Sequence, residues 1–163
     1  MKLLSSQQIK IVNIFTSWRF VFFLIWKLPM GFVAGLRVKD LDKKQCVVTV
    51  PYNYLNKNPF SSMYFAVQAM AAELSTGALM LLHKNDRNIS VLVTNLESNY
   101  YKKGVTKIQF ICSEGDNIAN ALKIAEETGE AQKCVMISKG YDMSGVCVSE
   151  FRITWSLKKR KQP

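Results

Sequence analysis

The chain has one histidine, His83, in 163 residues. That scarcity excludes multi-histidine metal centres, and it leaves a Ser-His-Asp triad only if His83 serves. Cysteine is sparse as well. Cys46, Cys112, Cys134 and Cys147 stand far apart, with no CxxC or CxH cluster. No zinc site is expected from that spacing, and reduced thiols in a cytoplasm are the simple reading. The sequence has no internal repeat, and its one low-complexity stretch is the basic run Lys158-Lys159-Arg160-Lys161, read as a solvated tail over residues 158–163. Acidic residues are few: 12 Asp and Glu stand against 22 Lys and Arg, a formal charge of +10. Basic chains attract nucleic acid, anionic membranes and phosphorylated ligands through one long-range field. No nucleic-acid motif and no Arg/Lys stripe with interleaved aromatics accompanies the charge, so nucleic acid is not an expected partner.

What is abundant is apolar surface: 48% of residues are hydrophobic and 11% aromatic. That excludes disordered and collagen-like chains, and at this length it supports one domain with its own core. Residues 9–28 are especially apolar. The uninterrupted stretch from Phe20 to Trp26 is only seven residues, too short to span a bilayer. Leu28-Pro29-Met30 follows where a signal peptide would carry small residues. Residues 1–28 therefore read as an N-terminal amphipathic helix packed on the domain and ended near Pro29, with contact to a membrane surface through residues 9–28 as the alternative.

Two short strands come next, Leu36-Arg37-Val38 and Cys46 to Val50, joined by a polar turn. The most informative segment is Ser61 to Leu82, rich in Ala, Met and Leu on every face. It is too long for a strand and reads as a buried central helix, capped by Ser61 or Ser62 and closed by His83-Lys84. Strand patterns resume at Ile89 to Tyr101 and Val105 to Cys112. A short amphipathic helix follows, with Asp116 as N-cap and Gly129 as its stop. Lys133 to Ser138 is a strand, Tyr141 to Gly145 a hairpin turn. In the last strand Phe151, Ile153, Trp155 and Leu157 alternate with polar residues. One long apolar helix among six strands predicts an α+β fold in which an antiparallel sheet wraps around that helix.

At this point the pattern resembles the hotdog fold of acyl-CoA thioesterases. The similarity runs over residues 28–157, and the hotdog domain is expected at residues 29–157. PaaI-like thioesterases carry an Asn before the central helix and an acidic residue fifteen positions on; here Asn58 and Glu73 have that spacing. Ser90 precedes Gly104 by fourteen residues, as a strand serine does in some relatives, and Asp142-Met143-Ser144-Gly145 matches the family's D-x-x-G turn. The segment Leu28-Pro29 to Gly35, the inserted helix and Trp155 look most like the uncharacterised branch related to the YiiD C-terminal domain. One departure is plain. The family has His-Gly-Gly at the helix start, and this chain has Tyr64-Phe65-Ala66.

The residues themselves suit thioester chemistry, which needs a base or nucleophile and donors for the developing oxyanion. Glu73 is the only acidic residue in the apolar helix, and burial there would strengthen it as a base. The N–H groups of Tyr64 or Phe65 at the helix N-terminus could hold the oxyanion. The resemblance implies that Asn58 orients the carbonyl or water. It also implies that Ser90 positions water from a facing subunit, since hotdog sites form between protomers, and that Lys102, Lys103 and Lys107 flank the entrance used by coenzyme A. His83 reads as a helix C-terminal residue rather than a catalyst. The expected function is hydrolysis of an acyl-CoA or acyl-carrier thioester without a metal or other cofactor. The alternative is a hotdog dimer that binds an acyl or other apolar ligand without turnover. A homodimer or dimer of dimers is expected, because a single unit exposes a sheet edge and half a site.

Overall fold

The computed structural model describes residues 4–85 and 87–160. Lys161 to Pro163, the end of the basic tail, lie outside the described residues.

Helix α1, Ser6–Phe15, starts from a reciprocal cap. The Ser5 hydroxyl accepts from the Gln8 N–H at 3.2 Å, and the Gln8 side-chain oxygen accepts from the Ser5 N–H at 3.1 Å. The chain then bends by 84° into α2, Phe20–Lys27. The single N-terminal helix expected is thus two. Thr16 turns its hydroxyl onto the Val12 carbonyl at 2.8 Å and Ser17 onto that of Ile14 at 3.2 Å, which ends α1 before the aromatic run begins. The bend brings Phe15, Phe20 and Phe23 together, with ring centroids 5.0, 4.9 and 5.7 Å apart. Pro29 opens a short α3, Pro29–Val33, at the position where its missing N–H does no harm.

Six antiparallel strands follow in chain order: β1 Arg37–Leu41, β2 Cys46–Val50, β3 Ile89–Tyr100, β4 Ile108–Cys112, β5 Gln132–Tyr141 and β6 Cys147–Lys159. They form one sheet in the order β1-β2-β4-β5-β6-β3. Lys158 and Lys159, expected in a solvated tail, pair instead with Ser90 and Ile89. Register shifts at Val38/Asp40, Val93/Asn95 and Gly140/Tyr141 bend the strands, so the sheet curls.

The curl encloses α4, Phe65–Lys84. This helix packs on β2, β4 and β5, and it starts four residues later than Ser61. Ser61 sits at φ +57°, outside the helical region, and Ser62 is held by Asn58, so Tyr64 in extended conformation takes the N-cap position. Ala71, Ala72, Ser75 and Ala78 are buried, and such small side chains let the helix approach the sheet closely. Larger groups fill the remaining space: Leu79, Met80, Leu82, Phe110, Phe151 and Ile153 are fully buried, each contributing about 2 kcal/mol of apolar burial. Buried polar groups on α4 are bonded. Ser75 and Ser138 hydroxyls meet at 2.8 Å, and the Ser149 hydroxyl donates to Gln68 Oε1 at 2.8 Å. Helix α5, Gly115–Thr128, lies on β5 and α4. Glu114 rather than Asp116 is its N-cap residue, and Asp116 falls in the first turn. This is the α+β hotdog arrangement, with an additional N-terminal helical segment.

Gly115 sets how α5 docks. Its N–H donates to the Lys44 carbonyl at 3.1 Å, and a Cβ there would run into the carbonyl oxygen of Lys43. Gly115→Ala is therefore expected to destabilise the fold by about 2 kcal/mol or more, read as a lower urea midpoint at unchanged slope.

Candidate functional site

Two clefts lie along α4, and they divide the expected site residues between them. The first, about 260 Å³, opens where α4 meets the N-terminal helices and the end of the sheet. Its walls are mainly apolar, from Phe15, Phe23, Leu28, Leu81, Val91 and Trp155, and Glu73 stands among them. Glu73 is half-buried, and its carboxylate forms no hydrogen bond or ion pair with any described residue. Burial alone pushes its pKa above the ordinary glutamate value. Gly77, one turn on, gives the carboxylate room. A Cβ there would sit 3.4 Å from Glu73 Oε1 and 3.6 Å from the Trp155 ring. The ring is fixed in turn, because Trp155 Nε1 donates to Thr76 Oγ1 at 3.1 Å. Lys27 and Lys84 also line this cleft without pairing to Glu73.

The second cleft, about 350 Å³, lies at the N-terminus of α4 and is lined by Asn58, Ser62, Phe65, Gln68, Tyr100 to Gly104 and Met63. A tight loop shapes it. Asn58 Oδ1 accepts from the N–H groups of Phe60 and Ser62 at 3.0 and 3.1 Å, and Asn58 Nδ2 donates to the Ser62 hydroxyl at 3.1 Å. Asn58 thus closes the loop with its carbonyl, which leaves only an amide N–H for a ligand. The two backbone donors differ. The Tyr64 N–H is spent on the Asn56 carbonyl at 2.8 Å, so Tyr64 is not an open donor. The Phe65 N–H has no partner among the described residues and lies at the positive end of the α4 dipole. The Phe65 ring is exposed at the cleft and contacts Tyr64 edge-on, with centroids 4.8 Å apart.

Lys102 and Lys103 line this second cleft, and Lys107 does not. Lys103 Nζ donates to the Phe60 carbonyl at 3.1 Å, and Lys102 faces Asp142 at 3.5 Å. The turn that carries them is anchored by Gly104, whose carbonyl accepts from the Met63 N–H at 2.7 Å. Ser90 lies on β3 opposite Lys158 and lines neither cleft. Its neighbour Val91 faces the Glu73 cleft, so strand alternation turns Ser90 the other way. His83 donates from Nε2 to the Lys43 carbonyl at 2.7 Å, and burial lowers its pKa. The two clefts share no lining residue. Eight positions separate Phe65 from Glu73, a rise of about 12 Å along the helix. Within one chain, therefore, Glu73 does not meet Asn58 or the Phe65 N–H.

A family model described as a domain of unknown function, DUF4442, matches residues 16–157. The chain belongs to the DUF4442 family. Its structure is similar to a protein of unknown function from Pseudomonas aeruginosa, PA5026, described as a probable thioesterase. That match has a TM-score of 0.75 at 19% identity and covers 88% of this chain and 97% of the other. The protein OLEI01261 from Chlorobaculum tepidum, of unknown function, matches with a TM-score of 0.75 at 18% identity, over 94% of each chain. The thioesterase HI1161 from Haemophilus influenzae matches with a TM-score of 0.61 at 12% identity, over 83% of this chain and 86% of the other. Among curated proteins there is no match. The likeness establishes the hotdog fold for this DUF4442 chain. The finer kinship to the YiiD branch rests on the resemblance alone.

Two features of the DUF4442 site escape a reading of sequence spacing. Gln68 is a lone amide in an apolar helix, a signal of the same kind as Glu73, and it lines the second cleft. Gly77 and Trp155 form the wall beside Glu73 although 78 positions separate them, and no local pattern links them.

The raised pKa of Glu73 has a testable sign. The folded state holds the proton more tightly than the unfolded chain, so stability falls as pH rises from the unfolded glutamate value through the folded one. Glu73→Gln is expected to raise the urea midpoint at pH 7, and that gain should vanish below about pH 4, where both states are protonated.

Proposed function

We propose that this DUF4442 protein hydrolyses acyl thioesters carried by coenzyme A or an acyl carrier, at sites shared between two copies of the chain. The observation that carries the reading is the unpaired, half-buried Glu73 carboxylate on the wall of an apolar cleft. A carboxylate in such a place is unfavourable unless it has work or a partner, and no described residue supplies the partner. The named thioesterases among the structural relatives support the same class of chemistry.

A second copy supplies what one chain separates. β3 is an edge strand of 12 residues with one side unpaired, and it exposes Leu92 and Leu96. Pairing across that edge by a two-fold axis would bring the Glu73 cleft of one protomer against the α4 N-terminus of its partner. The acyl chain then lies in the apolar cleft. The thioester carbonyl accepts from the Phe65 N–H, and Lys102 and Lys103 face the phosphates of the carrier. Glu73 takes a proton from water as the oxygen bonds to the carbonyl carbon. The negative charge collects on the carbonyl oxygen at the Phe65 N–H. The C–S bond breaks, and Glu73 returns the proton to the departing thiolate. Direct attack by Glu73 on the carbonyl carbon, with water resolving the anhydride, uses the same residues.

The second reading, a binding dimer without turnover, is favoured by Phe65. Its exposed ring stands where glycine occurs in the thioesterases that this sequence resembles, and it narrows the approach to the N–H.

Steady-state hydrolysis of an acyl-CoA panel, from short to long chains and including aromatic acyl groups, separates the two. Glu73→Ala is expected to lower kcat/KM by about a hundredfold or more, and the wild-type acid limb should lie above the ordinary glutamate pKa. Lys103→Ala is expected to raise KM for acyl-CoA with kcat little changed, and to flatten its salt dependence. No turnover by a folded dimer on any substrate would favour the binding reading.

A further inference from the structure

The outer face of α2 and α3 plays no part in either cleft. Trp18, Phe22, Ile25 and Trp26 recur at helical spacing and point away from the core, with Trp18 70% and Trp26 82% exposed. Met30 and Val33 of α3 are also exposed. The opposite face of the same segment is committed to the fold, since Phe15, Phe20 and Leu24 are buried. So the exposed aromatics lie on α2 and the turn before it, a segment whose position the core already fixes. Contiguous apolar surface of this kind marks a contact with something else.

The charge around the patch selects the occupant. The first 39 residues carry six Lys and Arg and no Asp or Glu. Lys10, Arg19 and Lys27 are exposed and form no ion pair with a described residue. Arg19 and Lys27 flank the aromatic row at its two ends. A second copy docked on this face through a two-fold axis would set these like charges against each other. A negatively charged bilayer surface meets both features, taking indole rings at headgroup level and cations beside phosphates.

We propose that the α2–α3 face docks on the surface of an anionic lipid bilayer. Phe23 on the inner side of α2 and Leu28 at the junction of α2 and α3 line the Glu73 cleft, so docking would set that apolar cleft beside the membrane. The docking does not rest on the thioesterase reading.

The test is flotation of the full chain with vesicles of phosphatidylcholine alone or mixed with phosphatidylglycerol, beside tryptophan emission. Trp155 is buried, so a blue shift on adding vesicles reports Trp18 and Trp26. Flotation and a blue shift are expected with the mixed vesicles only, falling at least about tenfold at high salt. The double variant Trp18→Ser/Trp26→Ser should lose at least about tenfold in binding with its thermal midpoint unchanged, since both residues are exposed. The proposal is overturned by a folded full chain that does not float, by equal binding to neutral vesicles, or by undiminished binding of the double variant. It is also overturned if that variant lowers the oligomeric mass while the wild type ignores lipid, which would assign the face to a second copy.

Discussion

A helix of 20 residues with Ala, Leu or Met on every side cannot lie on a surface; it must be surrounded. Nearly everything else in this structure follows from that demand. The six-stranded sheet curls at its bulges and takes α4 into its concave face, where Ala71, Ala72, Ser75 and Ala78 permit close contact. The sheet is too narrow to close around the helix. The N-terminal helices cover part of the remaining side, and the seam between the two coverings is the cleft that holds Glu73.

The same demand shapes the electrostatics. A carboxylate in the seam is drained of water without gaining a cation, and so it holds its proton to higher pH than an ordinary glutamate. At the other end of α4 the backbone supplies the opposite polarity, with an open N–H on Phe65 and two lysines on the adjoining turn. One helix thus carries a half-buried carboxylate near its middle and an open hydrogen-bond donor at its start. They are too far apart to act on one carbonyl within a chain. In the proposed dimer, a second copy beside the unpaired β3 edge brings them together.

Much of the fold was legible in the sequence because its signals are periodic. The alternation of Phe151, Ile153, Trp155 and Leu157 marks β6, and the apolar run after Met63 marks α4. Local competition was less visible. Thr16 and Ser17 look like interior helix residues until their hydroxyls turn back on the chain, and the left-handed Ser61 displaces the helix start to Phe65. In the site, Glu73 stood out as a charge in an apolar stretch. The fifteen-residue spacing from Asn58 could not show that the two would line different clefts, because a loop and a helix rise intervene. Nor could it show that Asn58 spends its carbonyl oxygen on its own loop, or that Lys107 falls outside the cleft of Lys102 and Lys103.

The shared site is tested most directly by mixing two inactive variants. Glu73→Ala removes the base. Phe65→Pro removes one N–H at a first helical position, where proline fits, after a Tyr64 whose φ of −61° and ψ of 132° suit the residue before proline. Each variant alone should be inactive on the best acyl-CoA substrate. If the site joins Glu73 of one protomer to Phe65 of its partner, unfolding and refolding the two together should restore activity, up to about a quarter of wild type, because half the dimers then carry one intact site. No recovery from a folded mixed dimer would place both residues in one chain's site, or neither in any, and the shared site would have to be abandoned.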